Sequence, residues 1–438
     1  MSSVLSVSLY FFLLVSTVTA APEIPGEAVK QPMAIVGGTI HTVSGKTIEN
    51  GTLLVRNGKI VAVGKKVKVP AKAITIDANG KSVYPGLFDA YTDIGLVEIN
   101  AVRATRDQSE VGQINPSVKS WVSVNPDSEI IPVTRSNGVL LALTAPAGGL
   151  ISGKSGVIQL DGWTFEDLTM KQGVGMHVDW PNMSPVIDWE SDKSAKDQME
   201  ARDKALQTLR RAFDDARAYQ KAQTVQDSAH ARDARWEAML PVLDRSLPLI
   251  VEAEDMQQIQ AAVAFAEQQN AKLIIYGGYD APLCSELLKK HDVPVIIGGV
   301  YRLPRRRSDH YDTPFTVPAR LHEAGIKFCI SGSGRFGASA VRNLPYHAAM
   351  AAAFGLPQEE ALKSITLYPA EILGVANRVG SLKKGKDATF FITDGDPLET
   401  PTQVEAAYIQ GREIDLSDRH KRLWNKYKEK YRRQRERD

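Results

Sequence analysis

Apolar and polar positions change rhythm twice along the chain. Residues 33–83 run in short β-branched stretches, AIVGGTI and TLLVRNGKIVAVG, with Asn57-Gly58 inside the second. An Asn-Gly pair between two apolar runs predicts a two-residue hairpin, because both central turn positions need positive φ. A further short strand, AITIDA, ends at Asn79-Gly80. From Pro85 the pattern becomes apolar strands alternating with amphipathic segments. The strands are LLALTAP (140–146), PLIVEA (248–253), KLIIYGG (272–278), VPVIIGG (293–299) and IKFCISG (326–332). The helical stretches are 255–269, 283–292, 317–325 and 345–355. Strand–helix alternation at this spacing predicts parallel βαβ units, and their number and the chain length favour a closed barrel over an open sheet.

Residues 188–240 break that alternation. The stretch from Trp189 to Leu240 holds no Gly or Pro and is rich in Ala, Asp, Lys and Arg. It predicts one or two long solvated helices whose charges form a helix surface. From Asp387 the pattern returns to β, with ATFFITD and then VEAAYIQGREI around a Gln410-Gly411 turn. A β start and a β end around an α/β middle predict that the two ends, 33–83 and 380–414, form one small composite β-sandwich beside a larger domain over 84–379. The tail, 415–438, reads as a basic helix. Leu423, Tyr427 and Tyr431 recur at i, i+4 and i+8, and the thin stripe they form is expected to pack on the protein's own surface.

Composition changes this picture little. The 438 residues are 43% hydrophobic and 24% charged with a formal net charge of +2, an ordinary globular balance with no call for a polyanionic partner. The tail alone holds 10 Lys and Arg against 5 Asp and Glu, yet no nucleic-acid partner is expected. Cys284 and Cys329 are too few for a disulfide framework and read as small buried side chains. Val4 to Val18 is an apolar run ending in Val18-Thr19-Ala20, which reads as an export signal over residues 1–20, with a retained anchor as the alternative. The protein is therefore expected outside the cytoplasm, periplasmic or secreted, with no membrane contact beyond the signal.

Three segments carry a resemblance. PGLFDAYTDIG (85–95) resembles the strand-one signature PGLIDxHxH of the amidohydrolase superfamily. SNGVLLALTAPAGGLISGKSGVIQLDGW (136–163) is similar to the strand and loop that follow it. ALKSITLYPAEILGVANRVGSLKKGKDATFFITDGDPLE (361–399) is similar to the family's barrel exit, where TxNPAxxLG and GSLxxGKDADLVVxDGDP recur. The resemblance runs from about Met33 to Gly411 and points to imidazolonepropionase-like members. It implies a (β/α)8 TIM-like barrel plus a composite β-sandwich, and hydrolysis of non-peptide carbon–nitrogen bonds such as those of cyclic amides. It also implies zinc or another divalent metal, which would generate hydroxide and polarise a carbonyl.

The ligand positions depart from that pattern. The strand-one pair is Tyr91 and Asp93, the strand-five position is Glu252, the strand-six position falls at Tyr276 or Gly277, and the strand-eight position at Gly332 or Ser333. No metal ligand is assigned and no cofactor is read from the residues themselves. Asp93, Glu252 and Tyr91 become the candidate catalytic groups, either as a hard-cation site or as a metal-free acid/base set. His177, Tyr276, Ser333, Arg302 and Arg305 become candidate substrate-binding groups, the arginines because YRLPRRRSDHYDTP (301–314) falls in a strand-to-helix loop. A binding protein on a disabled enzyme fold is one alternative. An assembly role through the charged helices and the tail, with homo-oligomer formation, is another. A small molecule at the barrel mouth is the expected partner.

Overall fold

The computed structural model describes residues 23–186, 193–224, 231–332 and 334–437. The expected export segment, 1–20, and parts of the expected charged insertion therefore lie outside the described residues.

The fold is mixed α/β, with eighteen strands among the described residues. They run β1 (Met33–Ile40), β2 (Ile48–Arg56), β3 (Lys59–Gly64), β4 (Ile74–Asp77), β5 (Ser82–Pro85) and β6 (Leu87–Thr92). Next come β7 (Val139–Thr144), β8 (Ile151–Lys154), β9 (Gly156–Gln159), β10 (Thr169–Lys171), β11 (Met176–Asp179) and β12 (Leu249–Ala253). The last are β13 (Leu273–Gly277), β14 (Val295–Ile297), β15 (Phe328–Ile330), β16 (Phe390–Thr393), β17 (Val404–Ile409) and β18 (Arg412–Glu413).

Both chain ends enter one sheet, ordered β18-β17-β16-β5-β1-β2-β3 with β4 beside β1. The join is β16 antiparallel to β5, with Phe391 opposite Tyr84. The turn chemistry is as the sequence predicts. Asn57 and Gly58 have φ of 51° and 72°, and Gln410 and Gly411 have 51° and 72°, so each pair closes a two-residue hairpin.

The middle of the chain builds two sheets. One is β10-β9-β7-β6, and the other is β15-β14-β13-β12-β11-β8. Strands β6 and β7 are parallel, as are β11 through β15. The residues of β7, VLLALT, are buried on both faces, which is why that strand reads as one continuous apolar run. The helix over Met256–Gln269 packs against β12 and β13 and opens with Asp255 and Gln258 in a reciprocal capping box. Beyond β15 the chain returns to β6. Ser331 Oγ donates to the Tyr91 carbonyl at 2.7 Å, and the Gly332 N–H donates to Asp89 Oδ2 at 2.9 Å.

Two expectations are corrected. The charged insertion is not a wholly solvated helix. The helix Ala195–Thr224 buries Leu209, Ala212, Phe213 and Ala216, and Phe213 meets Phe265 edge to face with ring centroids 5.2 Å apart. The i, i+3, i+4, i+7 stripe is present in the sequence but thinned by the charged residues around it. Conversely, the tail helix (Arg419–Arg435) does not pack its stripe on the body: none of its residues is buried. Cys284 and Cys329 are both buried and free.

Candidate functional site

The parallel strands end together, and the side chains at their C-terminal ends form the candidate site. Strand pairing sets its first contact. Asp179 at the end of β11 stands opposite Glu252 on β12, and Glu252 stands opposite Tyr276 on β13. Neighbouring parallel strands lie ~4.8 Å apart, so Asp179 and Glu252 present two carboxylates side by side on one face. Both are exposed into a cleft of about 390 Å³ lined also by Trp180, Asn182, Glu254, Gln258 and Arg305.

Electrostatics follows from that crowding. Glu252 is pushed up to about 7 by its sheltered position, then by the neighbouring charges of Asp179 and Glu254. Burial also raises Asp179. Asp179 and Glu252 are like charges on neighbouring strand ends, so the charge of Asp179 disfavours ionisation of Glu252.

Tyr91 and Tyr276 stack face to face, with ring centroids 3.5 Å apart and planes within 7°. The Tyr91 phenol is raised well above its ordinary value by burial and by the charges of Glu252, Asp179 and Asp93. Burial, with Tyr91 and Glu252 nearby, holds the Tyr276 phenol up as well. Both rings are therefore neutral hydrogen-bonding and stacking surfaces at any ordinary pH. Below them His177 is 2% exposed, tilted against Tyr91 at 5.3 Å, with neither ring nitrogen hydrogen-bonded among the described residues. Burial pushes its pKa down to about 3, so the imidazole is neutral.

The expected partnership of Asp93 with Glu252 is not what the strands build. Asp93 follows the end of β6 and turns toward the Gly334–Asn343 segment, where the backbone of Ala338 hydrogen-bonds its carboxyl. Gly337 sits at φ 55°, and a Cβ there would lie 2.9 Å from the Asp93 carboxylate, so the carboxylate occupies the space a side chain would need. Burial raises Asp93, and its Oδ1 has no hydrogen-bond partner among the described residues. The charges that act on Glu252 are those of Asp179 and Glu254.

The arginine loop is also more committed than expected. Arg302 pairs with Glu254 at 2.7 Å, and its guanidinium lies 5.3 Å from the Tyr279 ring centroid. Arg306 forks onto Asp280. The Tyr279 hydroxyl donates to Asp309 at 2.8 Å and accepts the Arg305 backbone N–H at 3.3 Å. Of the two candidate arginines, Arg305 is the one that lines the cleft with Glu252 and Asp179. Ser333 lies outside the described residues.

Sequence reasoning missed Asp179, Glu254 and Asp89. For Asp179 the signal was GMHVDWP, a short strand with His177 and Asp179 two apart and hence on one face. Asp89 is fully buried, accepts the N–H groups of Tyr91 and Gly332, and is pushed up to about 7 mainly by burial. It sits where it can fasten β15 to β6.

These donors do not fit a histidine-held divalent centre. Among the described residues no three His, Cys, Asp or Glu side chains converge to hold a metal ion. The strand-one and strand-six positions carry stacked phenols. Gly277 offers no side chain at φ 97°, and a Cβ there would lie 3.0 Å from the Glu254 carboxyl carbon.

The amidohydrolase family model matches residues 273–412. The chain is 24% identical over 422 residues to the imidazolonepropionase of Mesorhizobium japonicum, covering 86% of this chain and 92% of that one. It is 23% identical over 401 residues to amidohydrolase tasK of Hapsidospora irregularis, covering 82% of this chain but only 39% of tasK. An amidohydrolase structure from Thermotoga maritima MSB8 superposes with a TM-score of 0.77 at 24% identity, covering 87% of this chain and 99% of that one.

Proposed function

We propose that this chain, which carries an amidohydrolase-family domain and has amidohydrolase and imidazolonepropionase homologues, hydrolyses non-peptide carbon–nitrogen bonds in small cyclic amides with a carboxylate pair instead of the family's metal centre. In this reading β6, β7 and β11–β15 are staves of a (β/α)8 barrel, and the sheet built from both chain ends is its composite β-sandwich. The family relation and the β15-to-β6 hydrogen bonds support that reading.

The observation that carries the proposal is the in-register pair at the strand ends, Asp179 and Glu252, with Glu252 held near 7. A pair sharing one proton supplies both an acid and a base. Asp179 takes a proton from water as its oxygen adds to the amide carbon. Glu252 gives its proton to the departing nitrogen as the C–N bond breaks. Water supplies the atoms, and the proton that Asp179 has taken up passes to Glu252 to reset the pair, which holds one proton throughout. The neutral Tyr91–Tyr276 stack adjoins Glu252 through the register of β12 with β13, and Arg305 supplies a cation in the cleft lining. The same stack, capping the strand ends, favours a second reading in which the cleft binds a cyclic ligand without turning it over.

The pH dependence tests the acid role. Glu252 must keep its proton, so turnover of five- and six-membered cyclic amides falls as pH rises through about 7. It falls again in acid as Asp179 takes up a proton. A rate unchanged between pH 6 and 8 would sink the proton-sharing pair. Saturable binding across the panel with no product at any pH would replace hydrolysis with the binding reading.

A further inference from the structure

The C-terminal helix carries two features on one face: an unburied aromatic stripe and the helix's unpaired cations. At ~100° per residue, Leu423, Tyr427, Tyr431 and Trp424 fall within an arc of about 100°. They are 42%, 49%, 55% and 61% exposed. Four large apolar side chains on one solvated face need a reason, since apolar surface left in water costs free energy.

Charge is sorted around that stripe. The helix holds 9 Lys and Arg against Glu429 alone, while the rest of the chain has 44 basic and 50 acidic residues. Arg432 and Arg433 are paired with Glu429, and Arg432 also with Glu436, on the side away from the aromatics. Lys428 and Lys430 instead lie over the rings, Lys428 at 4.6 Å from the Trp424 centroid and Lys430 at 5.9 and 5.6 Å from those of Tyr427 and Tyr431. In the first turns Arg422 ion-pairs with Glu23 and, at 2.9 Å, with Glu129, and Lys421 lies 3.9 Å from the Asp418 carboxylate. Asp418 caps the same end through the His420 and Lys421 N–H groups. The base of the helix is thus fixed to the body, and the stripe projects beyond it.

We infer that this face is a docking surface for an anionic lipid membrane. Trp and Tyr place an apolar ring and a polar edge at the depth of lipid headgroups, and the lysine ammonium groups over those rings stand at the same depth, where phosphate is met. A basic helix face gains from the negative potential of an anionic leaflet. A second copy of the same face would set like charge against like, and a nucleic-acid strand would use the cations but leave the continuous apolar stripe in water. The exposed stripe departs from the sequence-based expectation that the tail packs on its own protein.

The full chain is tested by co-sedimentation with vesicles of phosphatidylcholine alone and with about one-third phosphatidylglycerol. The wild type is expected to sediment with the anionic vesicles only, and to be released at about 0.5 M salt. The triple variant Trp424→Ala, Tyr427→Ala, Tyr431→Ala keeps every charge, and its side chains support no core. It should unfold at the wild-type temperature yet bind anionic vesicles at least about tenfold more weakly. Failure of the wild type to bind anionic vesicles overturns the inference. So does a triple variant that binds like the wild type, which would mean a charge contact alone. Retention on heparin without vesicle binding would assign the face to a polyanion. Self-association abolished by the triple substitution, without vesicle binding, would assign it to a second copy.

Discussion

Glu252→Gln is expected to lower kcat for cyclic-amide hydrolysis by about 10²- to 10⁴-fold, the usual worth of a positioned proton donor. Glutamine keeps the size and the hydrogen-bonding reach of the side chain but has no proton to release to the leaving nitrogen. KM should change far less, because the stacked tyrosines and Arg305 remain. Glu252 faces the cleft and supports no packing, so the variant's stability should lie within about 0.5 kcal/mol of wild type, as for most surface changes. Asp179→Asn should cost rate to a similar degree by removing the base, and the double variant should lose little more than either single one, because the pair acts as a unit. A Glu252→Gln enzyme with wild-type kcat would remove this residue from the chemistry.

The largest stability effect is expected at Asp161. Its carboxylate is fully buried and joins three parts of the chain. Arg135 donates to Oδ1 at 3.0 Å, the Gly26 N–H donates to Oδ2 at 3.1 Å, and Arg412 lies 3.7 Å from Oδ2. Arg135 is itself 5% exposed, and its Nε and Nη2 have no other partner among the described residues. Asp161→Ala leaves that guanidinium buried with only the weaker attraction of Glu23 and Asp415, so the cost should be about 3–5 kcal/mol, that of breaking a buried pair. Urea denaturation reads it as a fall in midpoint with an unchanged m value. A loss below about 1 kcal/mol would mean that water reaches Arg135 and takes over its hydrogen bonds.

The fold was largely legible because its signals are local. Asn57-Gly58 and Gln410-Gly411 announce their hairpins through the positive φ they tolerate, and the runs 248–253, 272–278 and 293–299 announce buried strands through unbroken apolar character. The site was less legible because it depends on register. Glu252 was found by its place in a motif, but its partner came from the neighbouring strand: pairing of β11 with β12 sets Asp179 beside it, while Asp93 turns to Gly337. Arg302 looked like a ligand clamp until folding set Glu254 against it. The tail stripe was visible in sequence, but nothing in the sequence said that the body would leave it uncovered.

The proposal that strand-end carboxylates do the work of a histidine-held metal makes turnover independent of metal. The most direct test is cyclic-amide turnover before and after exhaustive chelation, with Zn²⁺ then restored and bound metal counted at each stage. Equal turnover in all three states and no stoichiometric metal are expected. Turnover that disappears with the chelator and returns with Zn²⁺ would contradict the proposal.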